Sequence, residues 1–409
     1  MPESEDEKLK EPAFEAPEAI AQKEEAREKV ATTLQADKKG TTKKPNWFTK
    51  LSKKQKLFIL IPSVLVLAGG GGFLVYKLTH SKKAAAPAPV VTEQKAEEPP
   101  KPTTVAGKLT GVQISPELNS RGVTAVMIEN SIDARPQSGL LDAGMVYEAI
   151  AEGGITRFLA LYQDTQPDYI GPVRSARPYY INWMLPYNAS YMHIGGSAEA
   201  LQMISKLGVR DMCECGQDNP INRISSRYAP HNAYTSMAAL DKVRANKGWG
   251  NPDFPSLQRK ADAPSKAPTA ITIDFAISST AFYVHYDYDA TTNSYKRSEG
   301  GAAHTDERSG KQLNPKVVVG LVIPYSINAD DIHSDYAMIG SGDAYIFQDG
   351  TVQIVKWSKP DQKAALVIQD AAGNAIPINA GQTWFTALGQ ASMISYKAPV
   401  PPAPTTPNQ

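Results

Sequence analysis

Apolar and polar positions divide this chain of 409 residues into a polar leader, one uncharged apolar stretch and a long part with short apolar runs. The uncharged stretch comprises the twenty residues from Leu57 to Tyr76. A helix of twenty residues is about 30 Å long, which matches the hydrocarbon thickness of a bilayer. The pattern therefore predicts one transmembrane helix over 57–76.

Two other interpretations of this stretch are weaker. A helix buried in a soluble protein shows a polar face, which 57–76 lacks. A cleaved signal peptide is an alternative because Ala84–Ala86 has the small residues of a cleavage site. However, the 56 residues before the stretch are much longer than the polar start of a signal peptide.

Lysines near the two ends of the stretch predict its orientation. Six lysines lie within 43–56, against three within 77–83. Positive residues are retained on the cytoplasmic side. We therefore expect a single-pass protein of the cell membrane, with a cytoplasmic N-terminus and extracytoplasmic C-terminal domains. The same N-side lysines favour contact with anionic lipid.

Composition divides the chain further. The first 30 residues carry ten acids and five bases with few large apolar side chains, so they cannot bury enough surface to fold. Prolines make the residues after the apolar stretch semi-extended. The predicted segments are a disordered cytoplasmic tail (1–56), the transmembrane helix (57–76), a Pro/Ala-rich linker (77–108), an N-terminal domain (109–250), a C-terminal domain (269–397) and a disordered tail (398–409).

Strand and helix patterns are mixed in the N-terminal domain, which indicates an α/β or α+β fold. Apolar runs at 145–151 and 155–163 flank Gly153 and Gly154, which is a hairpin signal. Ser197 is the expected N-cap of the next helical pattern. The other predicted elements are strands at 123–129 and 190–194 and helices at 178–185, 198–207 and 236–246.

Short β-like runs separated by turn residues dominate the second domain, so we expect a β-rich antiparallel C-terminal domain, either a sheet or a small barrel. The runs lie at 271–275, 282–288, 317–323, 344–347, 351–357, 365–368 and 383–388.

Overall charge and cysteine content limit the function classes. The formal net charge of +1 argues against a protein built for nucleic acid, and no nucleic-acid partner is expected. The two cysteines, Cys213 and Cys215, are one residue apart, which makes a mutual bridge strained. Because Cys-x-Cys is also a weak zinc signal, we expect two ordinary cysteines in a turn.

The densest candidate chemistry lies between Glu148 and His231. Arg174 and Arg177 are three residues apart, just before a predicted helix start at Pro178. Positive charge at a helix N-terminus is unfavourable unless an anion lies there, and guanidinium groups bind phosphate in a bidentate way. The catalytic candidates are Glu148, Arg157, Arg174, Arg177 and His193. The ligand-binding candidates are Arg174, Arg177, Gly195, Gly196, Ser197, Arg227, His231 and Asn232.

Each candidate also has an ordinary structural interpretation. Paired arginines most often form salt bridges, here with Glu148 or Glu152, and a Gly-Gly-Ser before a helix is usually only a cap. A metal site built from the two glutamates with His193 and His231 lacks the close ligand spacing of known sites. Ser175 lacks the strand–Gly-x-Ser-x-Gly context of a nucleophile. No metal and no cofactor is expected.

Ordered motifs in this region are similar to those of a known family. The motifs are Ala134–Leu140, Val146–Glu148, Glu152–Phe158, Gly171–Arg177, Gly195–Ser197, Ala229–Asn232, Tyr286–Tyr288, Gly300–Asp306 and Gly381–Trp384. Together they resemble the YerB-like family of bacterial envelope proteins. The resemblance covers about 110–390 and implies an N-terminal and a C-terminal domain, both of unknown function.

Two departures from the family matter. Members are commonly lipoproteins, whereas this chain has the apolar stretch. The family usually has Ala-Asp before its Val-Tyr-Glu segment, whereas this chain has Ala143 and Gly144. Asp142 is two residues earlier, which in a strand would place it on the same face. If the missing acid were catalytic or bound a metal, activity here would be in doubt.

Two functions follow as hypotheses. The first is an envelope protein of unknown activity that binds an anionic envelope glycan, a phosphate-bearing ligand or a protein partner. The alternative is a phosphotransferase or hydrolase acting on a phosphorylated cell-wall glycan or polyprenyl substrate, with the arginines neutralising phosphate and Glu148 or His193 moving a proton. The layout is also similar to that of the LytR-CpsA-Psr phosphotransferases, although such likeness is weak evidence for function.

Overall fold

The computed structural model describes residues 103–214, 218–328, 330 and 332–398. The predicted cytoplasmic tail, the transmembrane helix, most of the linker and nearly all of the C-terminal tail lie outside these residues. No helix in the described part of the chain has the length and apolar character that a membrane crossing requires. Val105 and Ala106, which the sequence assigns to the linker, form the first described strand.

The described residues form short strands and four α-helices. The strands are β1 (Val105–Ala106), β2 (Gln113–Ile114), β3 (Thr124–Glu129), β4 (Met145–Glu152), β5 (Ile155–Tyr162), β6 (Ser190–Met192), β7 (Arg210–Asp211), β8 (Asn222–Arg223), β9 (Ala233–Tyr234), β10 (Arg259–Lys260), β11 (Thr272–Ala276), β12 (Tyr283–Asp289), β13 (Ser294–Glu299), β14 (Ala302–Ala303), β15 (Val317–Val322), β16 (Tyr325–Ile327), β17 (Ser334–Tyr336), β18 (Gly340–Gln348), β19 (Thr351–Lys359), β20 (Val367–Gln369), β21 (Ile378–Asn379), β22 (Thr383–Leu388) and β23 (Ile394–Lys397). The helices are α1 (Pro116–Asn119), α2 (Pro178–Met184), α3 (Ala198–Leu207) and α4 (Met237–Asn246).

A ten-stranded mixed sheet, the main sheet, runs through both predicted domains in the order β20-β19-β18-β15-β22-β4-β5-β3-β6-β7. Strand β22 lies parallel to β15 on one side and to β4 on the other. The hairpin β4–β5 is antiparallel, and β3 pairs antiparallel with β5 and parallel with β6. The backbone hydrogen bonds between β22 and β4 therefore join the two halves of the described chain.

A five-stranded sheet, the second sheet, has the order β14-β13-β12-β11-β23 and is antiparallel throughout. The other described pairs are β1 with β2, β8 with β9 and β16 with β17, all antiparallel, and the parallel pair β10 with β21.

Both faces of the main sheet are covered. On one face Tyr147 of β4 stacks on Trp183 of α2 with ring centroids 5.0 Å apart, and Ile204 of α3 belongs to the same apolar core. On the opposite face Leu240 of α4 packs into a second apolar core. The second sheet covers that face too, because Phe275 of β11 shares a core with strands of the main sheet. Burying apolar side chains on both faces is the main stabilising term of such layers.

Local signals explain where the helices begin. The side chain of Ser197 accepts a hydrogen bond from the amide of Ala200, and Ser236 caps α4 through the amide of Ala239. Pro178 occupies the first turn of α2, where its missing N–H costs nothing. Helix α3 ends at Leu207 and is capped by Gly208, whose φ of 65° suits glycine.

The expectation of a mixed α/β region and an antiparallel sheet is confirmed. The expectation that the second half forms only an antiparallel sheet or small barrel of its own is wrong. Strands β15, β18, β19, β20 and β22 join the main sheet, and β15 and β22 are parallel. Parallel neighbours need a long crossover, here 323–382, which short-range turn signals do not reveal.

Candidate functional site

Two adjacent strands place an acid and a base side by side on the face of the main sheet that packs against α2 and α3. Glu129 ends β3, and its cross-strand partner is Arg157 of β5. Cross-strand partners on one face lie within contact distance of each other. Both side chains are buried. They belong to a set that we call the arginine cluster: Glu129, Glu152, Arg157, Arg174 and Arg177.

Glu152 is the centre of the arginine cluster. One carboxylate oxygen pairs with Arg157, and the other accepts from Arg177 Nη2 at 2.6 Å and from Nε at 3.0 Å. Arg157 Nη1 also donates to the carbonyl of Ser175 at 3.2 Å. The side chains of Arg157, Arg177 and Glu152 are at most 3% exposed. Bidentate contacts of this kind fix the guanidinium planes and connect the end of β4 to the start of α2.

Glu129 joins Arg174 to His231. Its Oε1 lies 3.4 Å from Arg174 Nε, and its Oε2 lies 3.0 Å from His231 Nδ1. The hydroxyl of Ser131 donates to Oε1 at 2.9 Å. Burial opposes ionisation of Glu129, but the Arg174 charge and the His231 contact outweigh it and hold the pKa of this carboxyl below its usual value. Glu129 is therefore an anion that holds two cationic or polar groups in place.

His193 is held apart from the arginine cluster. Its Nδ1 lies 2.7 Å from the carbonyl oxygen of Gly195, and its Nε2 lies 3.1 Å from Asp211 Oδ1. The side chain is fully buried. Burial opposes ionisation of Asp211, but the contact with His193, the amide of Cys213 and the charge of Lys247 together outweigh it and keep the pKa of Asp211 low. In this arrangement His193 connects the end of β6 to β7.

The remaining ligand-binding candidates make separate contacts. Arg227 pairs with Glu307 at 3.3 Å and donates to the carbonyl of Pro136 at 2.8 Å. Asn232 accepts from Arg223 at 3.1 Å. The turn from Gly195 to Ser197 is half-buried and adjoins the cluster, since Ala176 donates its amide to Gly195. The structure thus assembles Arg157, Arg174, Arg177 and His231, but not Arg227 or Asn232, around the two glutamates.

Glu148 lies on the opposite face of the main sheet from the arginine cluster. Its Oε1 accepts from Arg297 Nη2 at 2.9 Å, and its Oε2 accepts from Trp384 Nε1 at 2.9 Å. Its cross-strand partner on β5 is Phe158. The Glu148 side chain is fully buried. Glu148 therefore contacts the second sheet and takes no part in the arginine cluster.

A buried polar network surrounds Glu148 where the second sheet meets the main sheet. We call it the seam network; its members are Asn130, Arg135, Gln137, Glu148, Arg297, Glu299 and His304. Arg297 Nε donates to His304 Nδ1 at 3.0 Å, and His304 Nε2 lies 2.8 Å from Gln137 Oε1. Burial, together with the charges of Arg297 and Arg135, holds the pKa of His304 well below its usual value. The neutral ring therefore accepts at Nδ1 and donates at Nε2.

Sequence reasoning missed the charged members of the seam network in β13. Arg297 and Glu299 alternate with Lys296 and Ser298, a pattern that normally indicates a solvent-facing polar strand. The structure buries the odd-numbered face instead. The sequence signal nearest to β13 was the resemblance motif Gly300–Asp306, which contains His304.

Two sequence comparisons identify the family. Residues 109–250 and 271–385 match the N-terminal and C-terminal domains of a family described as "Protein of unknown function (DUF3048)". Over 300 residues the chain is 30% identical to "Putative lipoprotein YerB" of Bacillus subtilis (strain 168). That alignment covers 72% of this chain and 90% of the relative. The chain belongs to the YerB-like family.

A solved structure of the YerB-like family has the same fold. The crystal structure of YerB protein from Bacillus subtilis superimposes with a TM-score of 0.66 at 27% sequence identity. The superposition covers 71% of this chain and 99% of the other. The resemblance inferred from the motifs is confirmed, and the family has no established function.

The departure from the YerB-like pattern at Gly144 has a steric explanation. A Cβ at this position would lie 2.7 Å from Leu109 Cδ2 and 2.8 Å from Thr110 Cγ2. Leu109 and Thr110 thus occupy the space that a side chain would need. The expectation that Asp142 replaces the missing acid on a strand face is wrong, because Asp142 lies in a turn closed by its amide bonding to Gly139. Burial and nearby acids raise the pKa of Asp142.

Metal ligands and cysteines are the remaining candidate chemistry of this YerB-like protein. Within the described ranges, no group of three or more His, Cys, Asp or Glu side chains is arranged to hold a metal ion. Cys213 is disulfide-bonded, so the expectation of an ordinary cysteine is wrong for it. Cys215, the other cysteine of the sequence, lies outside the described residues.

Proposed function

We propose that this protein is a membrane-held envelope protein whose folded part binds an anionic envelope ligand or a protein partner and does not catalyse a reaction. Its Bacillus relative carries the name "Putative lipoprotein YerB", and lipoproteins are a membrane-attached class. Here the apolar stretch 57–76 would supply the attachment, since no cysteine directly follows that stretch. The lysine counts on its two sides support an extracytoplasmic position for the folded part.

The burial of the candidate catalytic side chains carries the proposal. Glu148, Arg157, Arg174, Arg177 and His193 are each at most 4% exposed. Each is also held by protein groups, the acid and the arginines through buried ion pairs and His193 through Asp211. A general base must reach its substrate proton within hydrogen-bonding distance. Side chains that are buried and paired with protein groups fit a role in holding the fold together better than a role in catalysis.

The placement of the arginine cluster supports a binding edge at one end of the main sheet. Gly381 donates its amide to the carbonyl of Thr110, so the first described residues dock where β22 and β4 begin. The cluster lies where β3 and β4 end, roughly 20 Å away along an eight-residue strand. Half-buried His231 and the Gly195–Ser197 turn are at this end of the sheet. An anion would meet the partial positive charge of the α3 N-terminus there.

Wall sedimentation tests the proposal. The full chain, solubilised in detergent, is mixed with isolated cell walls that do or do not retain their anionic polymers. Co-sedimentation is expected only with the polymers, and it should weaken as salt rises. His231→Gln should reduce it severalfold, because His231 lies at the proposed binding edge. His285→Gln is the matched control, because His285 is also a histidine paired with an acid, Asp274, but lies on the second sheet.

Two other outcomes of the wall experiment would change the proposal. Equal recovery with stripped walls would exclude an anionic polymer and leave a protein partner. Recovery of nothing above background in both this assay and pull-downs from envelope extracts would contradict a binding function.

The enzymatic alternative retains one supporting observation, which is the assembly of Arg157, Arg174 and Arg177 around two glutamates. Such a set suits a phosphorylated glycan or polyprenyl substrate, because charge grows on the transferred group. A phosphoryl-transfer or hydrolysis assay of the full chain and of Arg174→Gln separates the functions. Turnover by the wild type that falls at least about tenfold in the variant would establish the alternative.

A further inference from the structure

Glu299 differs from the other members of the seam network because one of its carboxylate oxygens lacks a hydrogen-bond donor. Its Oε1 accepts from Asn130 Nδ2 at 2.6 Å and lies 3.2 Å from Arg135 Nη2. Its Oε2 is buried and has no hydrogen-bond partner among the described residues. His304 Nδ1 lies 3.4 Å from Oε2, but that nitrogen already accepts from Arg297 and cannot donate. A buried carboxylate oxygen without a donor strongly disfavours the ionised form.

Unequal distances to Arg297 add to the difference between the carboxylates of Glu299 and Glu148. Arg297 Nη2 lies 2.9 Å from Glu148 but 3.6 Å from Glu299. Glu148 also receives the indole N–H of Trp384. Of the two neighbouring carboxylates, Glu299 therefore has the weaker contact with Arg297 and the fewer hydrogen-bond donors.

Groups from several elements surround Glu299. Asn130 after β3, Arg135 on the following loop, Arg297 on β13 and His304 after β14 lie within 3.6 Å of its carboxylate. These side chains in turn contact Gln137, Glu148 on β4, Thr156 on β5, Tyr286 on β12 and Trp384 on β22. His304 stays neutral, and the two arginines stay charged. Glu299 is thus the member of the set whose charge can change near neutral pH.

We propose that the seam network is a proton-operated latch, in which Glu299 binds one proton to tighten the contact between the main and second sheets and loses it to loosen that contact. Protonation removes a second negative charge from beside Glu148 and relieves the oxygen that lacks a donor. The contact it controls joins the two family domains. The fold thereby senses the acidity of its surroundings without any surface switch.

The direction of the effect follows from linkage. Burial raises the pKa of Glu299 to about 7, with Arg297 opposing the rise and Glu148 adding to it. The folded state therefore holds a proton that the unfolded chain has released, once the pH exceeds the usual glutamate value of 4.5. Stability from this group falls as the pH rises from about 4.5 to about 7 and stays low above that. The unfolding equilibrium constant should increase by up to about tenfold per pH unit in that window.

Replacement by glutamine tests the latch, because glutamine has the shape of a protonated glutamate. Urea unfolding of the full chain in detergent is compared for wild type and Glu299→Gln from pH 5 to 8. The variant should match the wild type near pH 5 and be more stable at pH 8 by at least about tenfold in the unfolding constant. Glu148→Gln is the matched control and should be less stable at every pH. A Glu299→Gln chain that is less stable than wild type at pH 8, or a difference that does not change with pH, overturns the proposal.

Infrared spectroscopy gives a second measurement that needs no Glu299 variant. In wild type, a protonated carboxyl absorption should persist at pH 6 and disappear above pH 8. Labelling of glutamate with ¹³C should shift it, which separates it from Asp142 and Asp164, whose pKa values burial also raises. If no glutamate-sensitive carboxyl absorption remains at pH 6, Glu299 is ionised and the latch does not exist.

Discussion

The Glu148 carboxylate and the Arg297 guanidinium form a 2.9 Å ion pair whose side chains are both fully buried, although 149 positions separate them. Glu148 lies on the main sheet and Arg297 on the second sheet, so the pair fastens one layer to the other. Removing two charges from water costs several kcal/mol per ion unless further hydrogen bonds compensate. Here the indole N–H of Trp384 donates to Glu148, and the hydroxyl of Tyr286 accepts from Arg297 at 2.8 Å.

Replacing Arg297 with methionine should lower the free energy of unfolding by about 3–5 kcal/mol, because Glu148 would remain as an uncompensated buried charge. Urea unfolding of the full chain in detergent measures the change. Lys296→Met is the control, since Lys296 is the adjacent residue and makes an exposed pair with Asp289 that should be worth at most about 1 kcal/mol. Equal losses in the two variants would show that the buried pair does not fasten the sheets.

Replacing Glu152 with glutamine should also destabilise the fold, by about 3 kcal/mol, because one buried carboxylate pairs with both Arg157 and Arg177. Glu214→Gln offers the comparison, as it breaks an exposed arginine–glutamate pair and should cost at most about 1 kcal/mol. Thermal unfolding of the three proteins in parallel provides the measurement. A loss at Glu152 no larger than that at Glu214 would mean that the arginine cluster is not held by its carboxylate.

The sequence predicts the parts of this fold that depend on neighbouring residues. The hairpin around Gly153 and Gly154 and the capped helices α3 and α4 follow from turn residues, apolar period and a serine before each helix. The interpretation of the arginines as salt-bridge partners of a nearby glutamate could also be reached from the sequence. Glu152 lies within 25 positions of its arginine partners, so the pairing could be proposed from sequence.

The parts that sequence reasoning missed depend on contacts between distant positions. No residue near Glu148 in the sequence indicates that Arg297 is its partner. The pairing requires the parallel contact of β22 with β4 and the docking of the second sheet. Glu148 was therefore grouped with the arginines, although its cross-strand partner is Phe158, which lies on the other face of β5 from Arg157. His193 was grouped with them because it precedes a glycine turn, whereas its partner Asp211 comes from the next parallel strand.

Gly171→Ala should destabilise the protein by more than about 2 kcal/mol. Gly171 has φ of 151°, and a Cβ there would lie 2.8 Å from the carbonyl oxygen of Ala233. The residue positions the segment that carries Arg174, so a backbone shift would also disturb the arginine cluster. Gly250→Ala is the control, because a Cβ there meets nothing within 4 Å. Chemical denaturation should leave that control within about 0.5 kcal/mol of wild type, and a similar result for Gly171→Ala would contradict the steric argument.

Lys359 provides a test at alkaline pH. Its buried ammonium donates to the carbonyls of Gln362 at 3.0 Å and Ala364 at 2.6 Å. Burial lowers the pKa of Lys359 from 10.5 to about 8. Carbonyl oxygens satisfy its donors without neutralising its charge, so the charged form is penalised relative to water.

The sign of the resulting pH effect is opposite to that of a stabilised lysine. Between about pH 8 and 10.5 the unfolded chain keeps the Lys359 proton whereas the folded chain has released it, so the free energy of unfolding rises with pH in this window. Lys359→Met should abolish this contribution, and Lys356→Met, which changes an exposed lysine of the same strand, should leave it intact. Comparing urea unfolding of the three full chains from pH 7.5 to 10 cancels the titration of other groups. Parallel pH profiles for wild type and Lys359→Met would show that this lysine is charged in the folded state throughout, because a group that titrates alike in both states contributes no slope.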